Sequence, residues 1–209
     1  MRTQDSNPCF SAIIIFKKLL KIQHYGFAAE MLRMGEKIVV KNAVVILGYE
    51  SSGSVFISKV VSHVLGKCDS FGEWNGYGFN GEIGDQLVIL HRSIPYGRPK
   101  RWHDNPEEIK EIFADYELRF IICTRDPTIS QLSRIQRFGG SFSVYIGDTS
   151  RATSLFAKVM GKYSFYIWNF ETMLTLGNFY FDDLYKWLDI ESEFYPNVEN
   201  ANRPYINTK

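Results

Sequence analysis

The sequence predicts an α/β domain built on a central parallel sheet, with helices covering both faces. The first observation is that short apolar runs alternate along the chain with helical patterns, an order typical of parallel βαβ units. The second is that two of these runs end directly in segments rich in glycine, serine or charge. Ligands of such sheets bind beyond the carboxyl ends of the strands. We therefore expect the loops that follow residues 47, 90, 124 and 168 to share one rim.

Four apolar runs predict the strands of this sheet. They lie at residues 43–47, 87–90, 118–124 and 163–168. Strands covered by helices on both faces read as near-continuous apolar runs rather than as alternating patterns. We expect four or five strands in total.

Helical patterns fill the intervals between the runs. They are predicted at 54–65, 106–116, 127–138, 150–160 and 181–188, with irregular or extended chain at 66–84 and 191–209. Two helix starts carry clear local signals. Asn105 and Pro106 supply a cap and a first helical residue, and Asp126 and Pro127 do the same for the next helix.

Length and charge restrict the function classes. A chain of 209 residues predicts one main domain, here 36–209, preceded by a helical extension over 1–35. The net charge of +1 argues against broad electrostatic binding to nucleic acid or to an anionic membrane. The apolar stretch at 12–16 is too short to span a bilayer, and the lysines that follow it are wrong for a signal peptide.

The cysteines and histidines predict no metal site. Cys9, Cys68 and Cys123 lack the paired spacing of metal ligands, and the four histidines form no metal pattern. Cys123 lies in an apolar run and is interpreted as a small buried hydrophobic residue. The odd number of cysteines favours a reducing compartment, so we expect a cytoplasmic protein.

A glycine-serine loop follows the first apolar run. Gly48 and Gly53 have the G-x-x-x-x-G spacing of a loop that cradles phosphate between a strand and a helix. In a nucleoside-triphosphatase the next residues are Lys and then Ser or Thr, but here they are Ser54 and Val55. The loop therefore predicts anion binding and disfavours ATP.

A second motif, Arg125-Asp126-Pro127, follows the run at 118–124, with Ser133 eight residues after the arginine. Arginine can donate a forked pair of hydrogen bonds to phosphate. About two helical turns, at roughly 3.6 residues per turn, can return Ser133 to the same rim. A plain helix-capping turn is the alternative interpretation. With the loop, this motif predicts a nucleotide that carries phosphate at both ends of its ribose.

Taken together, the two motifs resemble those of sulfotransferases that use 3′-phosphoadenosine 5′-phosphosulfate (PAPS). The phosphosulfate loop of that family typically reads Pro-Lys-Ser-Gly-Thr-Thr, and Glu50-Ser51-Ser52-Gly53-Ser54-Val55 occupies the same frame. The family also has Arg-Asp-Pro followed by a serine. The resemblance covers about 43 to 206, including a tail at 200–206 that is similar to that of bacterial members.

The resemblance implies a three-layer, parallel-sheet, P-loop-like sulfotransferase fold. It also implies transfer of a sulfuryl group from PAPS to a hydroxyl or amine acceptor, a small molecule or carbohydrate, leaving adenosine 3′,5′-bisphosphate. The residues implied in cofactor binding are Ser51, Ser52, Gly53, Ser54, Val55, Phe56 against the adenine, Arg125 and Ser133. Trp168-Asn169-Phe170-Glu171 is similar to the family's strand-end Tyr-Glu.

Two residues are candidates for the catalytic base. His91 follows the run at 87–90, where many family members place a histidine that can take the acceptor's proton. Glu50, beside the loop, is the rival because some branches use glutamate. The alternatives are a surface or capping role for His91 and a hydrogen bond from a backbone N–H to Glu50.

One departure from the family bears on catalysis. A basic residue usually stands where this chain has Ser51, and fixed positive charge is expected to dominate such a transfer. Lys59, Arg92, Arg98 and Lys100 are the candidate replacements. The alternatives are a P-loop nucleotide or small-molecule kinase and a degenerate nucleotide-binding protein without catalysis. Trp74, Tyr77 and Phe79 are candidates for an acceptor pocket, and the sequence leaves the acceptor and the oligomeric state open.

Overall fold

Four parallel strands form the centre of the part of the chain that the structure describes. A computed structural model describes residues 40–72, 84–94 and 106–206. The strands are β1 (Lys41–Gly48), β2 (Leu87–Ser93), β3 (Tyr116–Thr124) and β4 (Ser164–Asn169). They hydrogen-bond in the order β2-β1-β3-β4, and every neighbouring pair is parallel. The predicted α/β class is confirmed. The predicted extension at 1–35 and the aromatic residues Trp74, Tyr77 and Phe79 lie outside the described residues.

Helices connect and flank these strands. In the described part of the chain they are α1 (Ser54–Val64), α2 (Pro106–Ile112), α3 (Pro127–Phe138), α4 (Phe142–Met160), α5 (Phe170–Leu176), α6 (Asn178–Trp187) and the short α7 (Arg203–Ile206). None of them is long and apolar enough to cross a membrane.

Several helix boundaries differ from the sequence prediction. The structure starts the helix predicted at 150–160 at Phe142 and ends the one predicted to reach 116 at Ile112. It adds α5, starts α6 at Asn178, and places a short helix in the tail predicted to be extended. By contrast, α1 and α3 lie where their local patterns predict.

Apolar side chains of β1 alternate between two cores. Val45 and Leu47 pack on one face with residues of α2 and α4, whereas Val44 and Ile46 pack on the other with residues of α1, α5 and α6. Because successive side chains of a strand point to opposite faces, a central strand buried on both faces must be apolar throughout. The sheet is therefore the middle of three layers.

The strand order creates a crevice beyond the carboxyl ends of the two central strands, β1 and β3. β1 lies between β2 and β3, so the chain leaves β1 towards one side of the sheet and leaves β3 towards the other. In open α/β sheets the ligand crevice lies beyond the carboxyl ends of the strands at such a switch point. Both sequence motifs, the loop at 49–53 and the segment at 125–127, begin at this position.

Candidate functional site

The loop after β1 folds tightly over the end of its strand. The N–H of Ser52 donates to the carbonyl oxygen of Tyr49 at 3.0 Å, which closes a turn. A methyl group added at Gly48 would lie 2.3 Å from Ser52 Oγ and 2.8 Å from Ser54 Cβ. Only glycine therefore allows the loop to approach the strand end this closely.

Two residues of the loop have left-handed backbone conformations. Ser51 has φ 67° and Gly53 has φ 89°. Gly53 is the N-cap of α1 and contributes no side chain to cap the helix. The first N–H groups of a helix have no partner within the helix and carry partial positive charge. This end of α1 is therefore suited to an anion.

A cavity of about 540 Å³ lies beside this loop at the switch point. Its volume is within the range of small-molecule sites. Seven of the eight residues predicted to bind the cofactor line it, namely Ser51, Gly53, Ser54, Val55, Phe56, Arg125 and Ser133, and so does the candidate base Glu50. The eighth, Ser52, is buried beneath the loop. The structure thus brings the two sequence motifs to one cavity.

Arg125 lies at the end of β3 and is only 7% exposed. Its Nη1 donates to the carbonyl oxygen of Ser51 at 3.0 Å, its Nη2 to that of Ala201 at 2.8 Å, and its Nε to Asn202 Oδ1 at 2.8 Å. The guanidinium stacks 4.9 Å from the centre of the Phe170 ring. Burial lowers the pKa of Arg125 from its ordinary value. Arg125 therefore joins the loop to the tail and still borders the cavity.

The backbone of Arg125 is fixed by the hydroxyl of Tyr49. The N–H of Arg125 donates to Tyr49 Oη at 2.8 Å, and that hydroxyl donates to the carbonyl oxygen of Arg125. Burial raises the pKa of Tyr49, so the hydroxyl keeps its proton at neutral pH. Tyr49 thereby ties the end of β3 to the start of the loop.

A second contact orients the side chain of Arg125. Asn202, which accepts from Arg125, donates its Nδ2 to Glu171 Oε1 at 2.8 Å. The other oxygen of Glu171 accepts from the N–H of Asp126 at 3.2 Å. Glu171 belongs to the strand-end segment noted in the sequence, but its link through Asn202 has no local sequence signal.

Helix α3 presents three polar side chains towards the loop and the cavity. It begins as predicted, with Asp126 accepting from the N–H of Ile129 at 2.9 Å and Pro127 in its first turn. Ser130 Oγ lies 3.5 Å from the carbonyl oxygen of Ser51. Ser133, 7% exposed, and Arg137 line the cavity further along the same helix. Their spacing of three and four residues places them on one helix face.

Aromatic rings form another part of the cavity wall. Phe56 of α1 and Phe71 both line it, with ring centres 6.4 Å apart in an edge-to-face arrangement. Phe71 also packs against Phe194 at 5.2 Å. A flat aromatic group fits a wall of this kind.

The two candidate bases occupy different environments. His91 is 2% exposed and its Nε2 lies 2.9 Å from Ser54 Oγ, so it sits behind the start of α1 and does not line the cavity. The strand expected to end at Leu90 continues to Ser93, which pairs with Gly48 and does reach the cavity. Glu50 lines the cavity directly.

The candidate replacements for the missing loop cation also differ in whether they line the cavity. Lys59 of α1 lines the cavity. Arg92 is buried. Because side chains alternate along a strand, it lies on the face of the sheet that carries Val88 and Leu90, opposite the face covered by α1. Arg98 and Lys100 lie outside the described residues. Sequence reasoning missed Arg137, whose Nη1 is 3.4 Å from Ser51 Oγ.

The described residues contain no group of His, Cys, Asp or Glu side chains placed to hold a metal ion. Burial raises the pKa of the Cys123 thiol well above its ordinary value, in keeping with an inert core residue.

Neither a scan against protein-family models nor a search of the curated proteins gives a match to this chain.

Proposed function

We propose that the protein binds PAPS in this cavity and transfers its sulfuryl group to a hydroxyl or amine acceptor. The observation that carries the proposal is that residues of two separate motifs, the glycine-serine loop and the Arg125–Ser133 pair, line one cavity. The chemistry of each motif suits an anion. A nucleotide with phosphate on both its 3′ and 5′ positions needs two such elements. The linear triphosphate of ATP needs one long cradle instead.

The loop and the start of α1 would hold the 5′-phosphosulfate. Gly53, Ser54 and Val55 line the cavity, and the helix they begin presents N–H donors and partial positive charge. The loop lacks the lysine with which nucleoside-triphosphatases bind the β- and γ-phosphates. This absence supports a 5′ group shorter than a triphosphate.

Arg125 and Ser133 would hold the 3′-phosphate. Protein oxygens engage three of the five N–H donors of Arg125. Among the described residues these are its hydrogen bonds, so the other two donors, one on each Nη nitrogen, would serve the ligand. Because its protein contacts already fix the guanidinium, little side-chain entropy would be lost when phosphate binds. Phe56 would pack against the adenine.

Glu50 is the better placed of the two candidate bases for taking the acceptor's proton. It lines the cavity, whereas His91 contacts Ser54 and would act by positioning that hydroxyl at the start of α1. In the transfer, the acceptor oxygen or nitrogen forms a bond to sulfur as the bridging S–O bond breaks. The bridging electron pair stays on the 5′-phosphate, and the acceptor's proton goes to Glu50.

Thermal unfolding with nucleotides tests the donor assignment. Adenosine 3′,5′-bisphosphate at 100 times its dissociation constant should raise the melting temperature by roughly 5–10 °C. Adenosine 5′-phosphosulfate, which lacks the 3′-phosphate, should stabilise the protein much less. If ATP with magnesium stabilises the protein and the bisphosphate does not, the result would support the kinase alternative. A response to none of these ligands would overturn the proposal.

Labelled PAPS tests the reaction itself. Wild-type protein incubated with phenol, carbohydrate and lipid acceptors should transfer label to one of these classes and release adenosine 3′,5′-bisphosphate. If the protein binds the bisphosphate, transfers no label to any acceptor and leaves PAPS intact, the result would support a nucleotide-binding protein without catalysis.

A further inference from the structure

Arg137 reaches the glycine-serine loop from α3, on another wall of the cavity. Its Nη1 lies 3.4 Å from Ser51 Oγ, although 86 positions separate the two residues in the sequence. Both residues line the cavity. Ser51 is uncharged, so Arg137 brings a cation to the side chain of this loop position.

The loop itself supplies no cation. Its residues, 49–53, include one ionisable acid, Glu50, and no lysine or arginine. Among the described residues that line the cavity, the cations are Lys59, Arg125 and Arg137. Arg125 is held by protein carbonyls and a side-chain oxygen. Arg137 is the one whose charged group contacts the side chain of the loop.

We infer that Arg137 is the catalytic cation of sulfuryl transfer, an inference that rests on the proposed function. As the bridging S–O bond of PAPS breaks, its electron pair leaves a developing negative charge on the 5′-phosphate oxygen. A guanidinium placed beside the loop by its contact with Ser51 stabilises that charge. Its planar group with several donors suits a phosphate oxygen. The acceptor's proton leaves to Glu50, so atoms and charge balance.

Steady-state kinetics of Arg137→Gln separate this role from simple binding. With the acceptor found for the wild type, kcat should fall by about 100-fold, a loss typical of removing one transition-state donor. The KM for PAPS should change by less than about threefold, because PAPS does not yet carry the charge that develops on the bridging oxygen. Adenosine 3′,5′-bisphosphate carries that charge on its 5′-phosphate, so its dissociation constant should rise.

A charge swap provides the positive test. Ser51→Lys in the Arg137→Gln background returns a cation to the same place from the other side, and it should recover most of the lost kcat. Arg137→Lys should retain an intermediate rate because its point charge lacks the planar fork. Arg151→Gln is the matched control. It removes the same charge from a side chain that is 70% exposed and does not line the cavity, so kcat should not change.

Each outcome decides between separate claims. If wild type transfers sulfate and Arg137→Gln keeps its kcat, the role of Arg137 is wrong while the proposed function stands. A tenfold loss of bisphosphate affinity with unchanged kcat would make Arg137 a binding residue, which also overturns the inference. A wild type that neither binds the bisphosphate nor uses PAPS overturns both. Arg137 is exposed, so the variants should fold. If Arg137→Gln does not fold, the intermediate kcat expected of Arg137→Lys still tests the role.

Discussion

β1 and β3 end at neighbouring points of one rim, but the two strand ends contribute to the cavity in different ways. After β1, the glycine-serine loop and the start of α1 border the cavity, and the shape of the loop depends on Gly48 and Gly53. After β3, the side chain of Arg125 brings positive charge, and its place depends on oxygens from Ser51, Ala201 and Asn202.

These two constructions should fail in different ways. A backbone site tolerates changes in side-chain chemistry but not in the space its turn occupies, because the donors move with the loop. A side-chain site tolerates small shifts in the backbone but not the loss of charge. Substitutions that add bulk should therefore destroy the first, and substitutions that remove charge should destroy the second.

Gly48→Ala is expected to have the largest effect. The added methyl group would lie 2.3 Å from Ser52 Oγ and 2.8 Å from Ser54 Cβ, so the loop must move. We expect the free energy of unfolding to fall by about 2–3 kcal/mol, with loss of bisphosphate binding. Denaturant titration and a binding isotherm measure the two effects.

Gly147→Ala is the matched control for this change. Gly147 lies inside α4, and a methyl group there would meet nothing within 4 Å. Alanine in a helix interior should raise stability by roughly 0.5–1 kcal/mol. Equal stability of Gly48→Ala and wild type, with binding intact, would show that the close approach at Gly48 is unimportant.

Arg125→Ala is expected to have the next largest effect on the ligand. A hydrogen bond to a charged group contributes roughly 1.5–3 kcal/mol, so affinity for adenosine 3′,5′-bisphosphate should fall at least about tenfold. Unfolding should also become easier, because the carbonyl oxygens of Ser51 and Ala201 lose their donor. Calorimetric titration of folded protein measures the affinity.

The ligand without a 3′-phosphate isolates the cause. Wild type should bind adenosine 5′-phosphosulfate weakly, and Arg125→Ala should barely change that weak affinity. An equal loss for both ligands would mean that Arg125 acts only by holding the loop and the tail together. Unchanged bisphosphate affinity would remove Arg125 from the site altogether.

Ser133→Ala should have the smallest effect of the three. It removes one neutral donor, which water can replace, so bisphosphate affinity should fall by about two- to fivefold. Ser154→Ala, on the exposed side of α4, should leave the affinity unchanged. A loss at Ser133 as large as that at Arg125 would contradict the view that charge dominates this end of the cavity.

Local signals explain which parts of the fold were predictable. The start of α3 follows from Asp126 and Pro127, whose capping contacts lie within four residues. The first half of α4 has no comparable signal, because Ser141 makes no capping hydrogen bond and Tyr145 is the only buried residue among the first ten of the helix. The last residues of β2 were missed because pairing with β1, rather than apolar side chains, extends that strand to Ser93.

The same distinction holds at the candidate site. The loop and the Arg125–Ser133 pair are local motifs, so their residues and their shared rim follow from the sequence. The contacts made by Tyr49, Asn202 and Arg137 each join segments more than 70 residues apart. Such contacts depend on the completed sheet, and no local pattern encodes them.

The hydroxyl contact between Tyr49 and Arg125 has a consequence for the order of folding. It closes a span of 76 residues, and the contact from Arg125 to Asn202 closes a further 77. Contacts of such length form late because the entropy of closing each span is lost before they stabilise the fold. Gly48 of β1 pairs with Cys123 of β3 over a similar span, so the Tyr49 contact should form together with the centre of the sheet. The contact to Asn202 should form after it. A bound nucleotide would contact these segments together and hold them closed. The rate at which a protease cuts them would then fall as the nucleotide concentration rises.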